Sequence, residues 1–155
     1  MGQQQLLLLV LGIVIVGLAV VIGIEAFSEN KTNSTTDAMN NEIVRIASDL
    51  QAWSLKPQAF GGPVGETGFT DVTFSDLGYG LTTLNGDASA YATLTAHYRI
   101  AGGSTANCVA VLGISNDGVT SGTTNGNASA ALMSVRVTGA DPDDIEYVGG
   151  EHVTC

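Results

Sequence analysis

Two histidines, two cysteines and a short acidic run are the side chains of this 155-residue sequence whose types could do chemistry. His97 lies in an alternating stretch, on the polar side of an expected strand. His152 follows Glu151 near the C-terminus, but adjacency in sequence does not make a dyad, because a base and its orienting group must meet in space. The sequence holds no Gly-x-Ser-x-Gly elbow, no His-Glu-x-x-His pair and no phosphate loop ending in Gly-Lys-Ser/Thr. The reading is therefore not an enzyme, with no cofactor. Asp141-Pro142-Asp143-Asp144, with Glu146 close by, is the densest acidic cluster. Hard oxygens in a loop suit calcium, which takes about six to eight of them, so Asp141, Asp143 and Asp144 are calcium candidates. The alternating ligands and fixed glycine of an EF-hand are missing, and a solvated acidic turn is the expected form. No other metal site is expected.

Cys108 and Cys155 match no zinc spacing. An even count in a chain that reads as exported predicts one disulfide, closing a loop of nearly fifty residues. On the chain-entropy account such a bond contributes about 4 kcal/mol, and it would pin a terminus that otherwise frays. Asn30-Lys-Thr, Asn33-Ser-Thr and Asn127-Ala-Ser are acceptor sequons, making Asn30, Asn33 and Asn127 glycosylation candidates. A mass equal to the bare polypeptide would dispose of that idea. Five basic residues oppose fifteen acidic ones, for a formal charge of −10. Lys31, Arg45, Lys56, Arg99 and Arg136 are scattered, whereas phosphate binding needs a clustered basic patch, so no nucleic-acid partner is expected.

The element that organises these residues is Leu6 to Ile24, nineteen residues without a charge, a proline or a polar side chain. As a helix it would extend roughly 28 Å, close to the hydrocarbon thickness of a bilayer. It is apolar all round, so lipid or copies of itself must surround it. Its flanks are not those of a secretory signal: only Met1, Gly2 and Gln3 to Gln5 precede it, Glu25 follows, and the first cation is Lys31. The polar stretch Phe27 to Asp37 is a poor helix former, where a helix would either continue with support or loosen. Helical spacing returns at Met39, Ile43, Ile46, Leu50 and Trp53, opposite Asn40, Asn41, Glu42, Arg45, Asp49 and Gln51. That amphipathic half, residues 38–55, should lie on a β-rich domain and stop at Lys56-Pro57.

A loop is expected over Gln58 to Gly68. Strands are expected at Phe69 to Phe74, Tyr91 to Ile100, Cys108 to Ile114, Ala131 to Thr138 and Ile145 to Val148. Within Tyr91 to Ile100, Tyr91, Thr93, Thr95, His97 and Arg99 alternate with Ala92, Leu94, Ala96, Tyr98 and Ile100. Cys108 to Ile114 is apolar on both faces and reads as a central strand. Asn85-Gly86, Asp117-Gly118 and Asn125-Gly126 are turn signals. The fold class is α+β: a long N-terminal helix over 1–56, apolar at 6–24 and amphipathic at 38–55, packed on a small antiparallel sheet domain over 57–155.

A near-terminal apolar helix that continues into a polar stretch, an amphipathic half and a small β-rich domain resembles the type IV pilin superfamily, with its archaeal pilin and archaellin relatives. The likeness covers the architecture of the whole chain, with local motif similarity in about the first quarter. It implies a leader peptidase, a pilus assembly machinery with its ATPase, residence in the cytoplasmic membrane before assembly, and a homopolymer afterwards. The assembly residues it implies are Gln5, Leu6, Leu7, Leu8, Leu9, Val10, Leu11, Ile13, Val14, Ile15, Val16, Leu18, Val20, Val21, Ile22 and Ile24. With Met1 as first mature residue, Gln5 stands where bacterial pilins usually carry a glutamate; with cleavage after Gly2, the fifth residue is Leu7. Gln5 can accept a hydrogen bond from an ammonium, more weakly than a carboxylate would. The expected function is the structural subunit of a type IV pilus-like extracellular filament, with roles in surface attachment or motility. Alternatives are a membrane-anchored extracellular binding module, a minor pilin or pseudopilin, and an archaellin.

Overall fold

The computed structural model describes residues 2–63, 68–84, 87–100, 107–116, 131–149 and 155. The turn signals at 85–86, 117–118 and 125–126 lie outside these residues, as do Asn127, Glu151 and His152. The fold is α+β, with one long N-terminal helix packed against a six-stranded antiparallel sheet. The helix, α1, spans Gly2–Ser54. The strands are β1 (Leu81–Leu84), β2 (Asp87–Ala92), β3 (Ala96–Ile100), β4 (Val109–Ser115), β5 (Ala131–Val137) and β6 (Ile145–Gly149), and their order in the sheet is their order in sequence. By contacts the chain forms two compact units, Met1–Ser34 and Thr35–Cys155.

Residues Phe27 to Asp37 are helical although they are poor helix formers. Nucleation is the costly step of helix formation, and with strong helical sequence on both sides this stretch has only to propagate. Its Thr32 hydroxyl donates to the Ser28 carbonyl at 3.1 Å, so it bonds within the helix and does not compete with it. The helix ends at Ser54, whose hydroxyl donates to the Gln51 carbonyl at 2.7 Å. Pro57 is extended, a short 3-10 helix follows at Gln58–Phe60, and Gly61 takes the left-handed conformation that closes it.

In the second unit Met39, Ile43, Ile46, Ala47, Leu50 and Trp53 are buried. They meet Ala96 and Tyr98 of β3, Val109 and Val111 of β4, Val135 and Val137 of β5, and Phe69, Val72 and Phe74 from the connection before β1. β4 has sheet neighbours on both sides, and Val109, Ala110, Val111 and Leu112 are all buried, as its unbroken apolar sequence implies. Gly113 lies where an added Cβ would come 3.1 Å from Tyr98 Cε1 and 3.3 Å from Met39 Cε, so its bareness admits both large side chains.

Two strand expectations are corrected. Phe69 to Phe74 is not a strand but a chain of turns, with Asp71 at a φ of 60°. Asp76 Oδ2 accepts from the Thr73 amide at 3.0 Å and from its hydroxyl at 2.6 Å, a local arrangement that competes with sheet pairing. Tyr91 to Ile100 is two strands, not one: the chain reverses between β2 and β3, with Tyr91 opposite Tyr98 and Ala92 opposite His97. Tyr91 therefore joins the core side, while Leu94, counted on the apolar side, is 95% exposed at the reversal. No glycine or proline marks this turn. Thr93 builds it, its amide donating to the Ala96 carbonyl at 2.8 Å, and Asn116 Nδ2 from the end of β4 donates to the Leu94 carbonyl at 2.7 Å. β1 is an additional strand that had no signal beyond the turn dipeptide after it.

Candidate functional site

The first unit presents the surface with most to explain. Every large apolar side chain from Leu6 to Ile24 is between 50% and 69% exposed. On one face Leu6, Leu7, Val10, Leu11 and Val14 line a shallow groove with Gln3. Gln5 is exposed at the same end of the helix. At roughly 25 cal/mol per Å² of apolar area removed from water, such a surface is strongly driven to find lipid or protein. Among the described residues α1 is the one helix long and apolar enough to cross a membrane. Gly12, Gly17 and Gly23 have open space around the position of a Cβ, so their smallness fits nothing within the chain itself.

In the second unit, α1 is held at both edges of its buried stripe. At 100° per residue, Glu42, Arg45 and Asp49 fall on one flank and Gln51 on the other. Asp49 accepts a 2.5 Å hydrogen bond from the Tyr79 hydroxyl, and Glu42 accepts one from the Tyr91 hydroxyl at 3.1 Å. The Arg45 guanidinium lies 5.7 Å above the Tyr79 ring and 4.0 Å from Glu42 Oε1. Tyr79 and Tyr91 have ring centroids 4.7 Å apart, and Tyr91 stacks on Tyr98 at 5.9 Å. Phe74 meets Tyr79 edge-on at 5.9 Å. Burial, then the bonded carboxylates, push the Tyr79 and Tyr91 hydroxyls above the usual phenol range. Burial and the Glu42 charge push Tyr98 up to about 12; its hydroxyl leans toward Thr93 without forming a good hydrogen bond. On the other flank Gln51 Nε2 donates to the carbonyls of Gly139 at 3.2 Å and Asp141 at 2.7 Å. These are clamps that orient the helix, with neutral phenols and no nucleophile. The sequence reading missed them; the signal was the placement of Glu42, Arg45 and Asp49 beside the apolar stripe.

Cys108 and Cys155 form the expected disulfide, with Cα atoms 5.7 Å apart, tying the C-terminal residue to the start of β4. This bond fits an oxidising compartment. The acidic turn makes hydrogen bonds within itself. Pro142–Asp144 is a short 3-10 helix in which Asp141 and Asp144 form a reciprocal capping box, Asp144 Oδ2 accepting from the Asp141 amide at 3.1 Å. Glu146 pairs instead with Arg136. Among the described residues no three acidic, histidine or cysteine side chains converge as a metal site.

His97 is half-buried rather than exposed, on the sheet face away from the main core and opposite Ile114. Burial lowers its pKa, and no carboxylate or nucleophile bonds to its Nδ1. Asn30 and Asn33 are both exposed on α1. The structure thus joins the two cysteines and leaves the apolar side chains of the first unit exposed. The chain matches no family model, no curated protein and no solved structure.

Proposed function

We propose that this chain is the structural subunit of a type IV pilus-like extracellular filament, polymerising through the apolar half of α1. The observation that carries this reading is the exposed, uncharged surface of Leu6 to Ile24 in a chain whose second unit already has its own core. Before assembly the segment sits in the cytoplasmic membrane; in the filament the same side chains pack on identical helices, so the apolar surface stays dry in both places. The acidic head, with a chain charge of −10, faces outward and keeps the polymer soluble. Attachment or motility is then a property of many copies, through weak contacts multiplied along the filament. A leader peptidase and an assembly machine are the partners this route requires.

Electron microscopy of protein purified from its native cell surface tests the reading. Long, uniform filaments containing only this chain are the expected result. Material that is monomeric in detergent and never filamentous would overturn it in favour of an anchored binding module, and short sparse assemblies would favour a minor subunit.

A further inference from the structure

The head sets two tyrosines ring against ring and gives each phenol its own proton acceptor. Tyr79, before β1, and Tyr91, in β2, have ring centroids 4.7 Å apart, inside the range of direct aromatic contact. The Tyr79 hydroxyl donates to Asp49 Oδ2 at 2.5 Å and the Tyr91 hydroxyl to Glu42 Oε1 at 3.1 Å. Both carboxylates stand on one flank of α1, about two turns apart. The two rings are half-buried, so a small oxidant in solvent can reach them, whereas Tyr98 is fully buried. Tyr98 stacks on Tyr91 at 5.9 Å, but its hydroxyl has no hydrogen-bond partner. That difference matters because a phenol gives up an electron readily only where its proton can leave with it, to a base already in place. The Arg45 guanidinium, 5.7 Å from the Tyr79 centroid, makes a positively charged ring costlier still and so ties electron loss to proton loss.

We infer that Tyr79 and Tyr91 form an oxidative cross-linking site, joined within the head into a biphenol by small one-electron oxidants such as peroxide-derived radicals. Each phenol gives one electron to the oxidant and its proton to the bonded carboxylate, Tyr79 to Asp49 and Tyr91 to Glu42. In the two neutral phenoxyl radicals the unpaired spin lies on the oxygen and on the adjacent ring carbons, Cε1 and Cε2. One Cε of each ring couples to the other, forming a single carbon–carbon bond. The hydrogen on each of those carbons then leaves as a proton, each oxygen takes one proton back, and Asp49 and Glu42 release to water the protons they accepted. The pair has lost two electrons and two protons, and the oxidant has gained the electrons. Holding the rings in contact makes the coupling unimolecular, so it outruns encounter with another chain. The bond also has a structural use. Tyr79 and Tyr91 bracket β1, an edge strand whose pairing with β2 shifts register between Thr82 and Leu84. A link across it closes that loop covalently and restricts the unfolded chain there, as Cys108–Cys155 does for the segment after β4 begins. None of this depends on filament assembly.

Illumination of the full-length chain in detergent micelles with tris(bipyridine)ruthenium and persulfate, which together deliver a small one-electron oxidant, tests the inference. The expected product is a monomer lighter by two hydrogen atoms, with biphenol fluorescence and a raised denaturant midpoint. Asp87 lies between the two tyrosines, so cleavage there leaves the two fragments joined, and fragment-ion sequencing should place the ends of the link at Tyr79 and Tyr91. Tyr79→Phe and Tyr91→Phe should each abolish the product, and Tyr147→Phe should leave its yield unchanged. Asp49→Asn keeps an acceptor oxygen but takes no proton, and should lower the yield several-fold. A biphenol mapped to Tyr98 or Tyr147, chains joined only to one another, or tyrosine oxidation without any biphenol in the wild-type chain would overturn the site. A yield unchanged in both Asp49→Asn and Glu42→Gln would overturn the proton route.

Discussion

At the residue scale the tyrosines set the behaviour of the head. Tyr98 is fully buried, and its neutral form is held up to a pKa of about 12, whereas an unfolded phenol ionises near 10. Above pH 10 the unfolded chain binds fewer protons than the folded one, so stability is complete below pH 10 and falls as the pH rises toward 12. Denaturant titrations from pH 9 to 12 should show that fall. Tyr98→Phe should make it shallower without removing it, since Tyr79 and Tyr91 are also raised, and should cost little at pH 7 because the hydroxyl makes no good hydrogen bond. Tyr79→Phe removes the bond to Asp49 and leaves a half-buried carboxylate without that donor; a loss of about 1–3 kcal/mol in the same titration is expected. Gly113→Ala must displace Tyr98 or Met39, an overpacking worth about 1–3 kcal/mol, read as a lower unfolding midpoint.

At the scale of elements, α1 has two chemistries along one helix, and substitution should separate them. Ile46→Ala deletes a fully buried side chain between helix and sheet and should lower the stability of the head by about 2–5 kcal/mol. The stripe that contains Ile46 was legible in the sequence because spacing of three and four survives any detail of packing. The ends of strands were less legible. Thr93-Leu94-Thr95 alternates like the strand around it, and the local Thr93–Ala96 bonds that turn it are secured by Asn116, more than twenty residues away. Phe69, Val72 and Phe74 carry a strand-like apolar pattern, yet Thr73 and Asp76 satisfy each other locally and the backbone never pairs.

For the whole molecule, assembly and head stability should respond to different changes. Ile15→Asp places a charge in the apolar run and should abolish filaments in electron micrographs, with the unfolding midpoint of the head unchanged. Reducing the Cys108–Cys155 bond should act the other way, costing the head about 4 kcal/mol through the entropy regained by the unfolded loop. The readout is the denaturant midpoint with and without reductant.

What the sequence determined by itself is what depends on composition and near neighbours: an uncharged run long enough for a bilayer, an amphipathic stripe after it, a β4 apolar on both faces, and one possible cysteine pairing. Hydrophobic burial and helical periodicity are short-range in sequence, and a run of residues carries them whole. Only the tertiary structure decided how Asn116 secures the reversal at Thr93 and how three tyrosines are seated against Glu42, Arg45 and Asp49. Each of those depends on hydrogen bonds or ring contacts whose partners the linear order does not reveal, because the sheet register and the facing helix first bring them within reach.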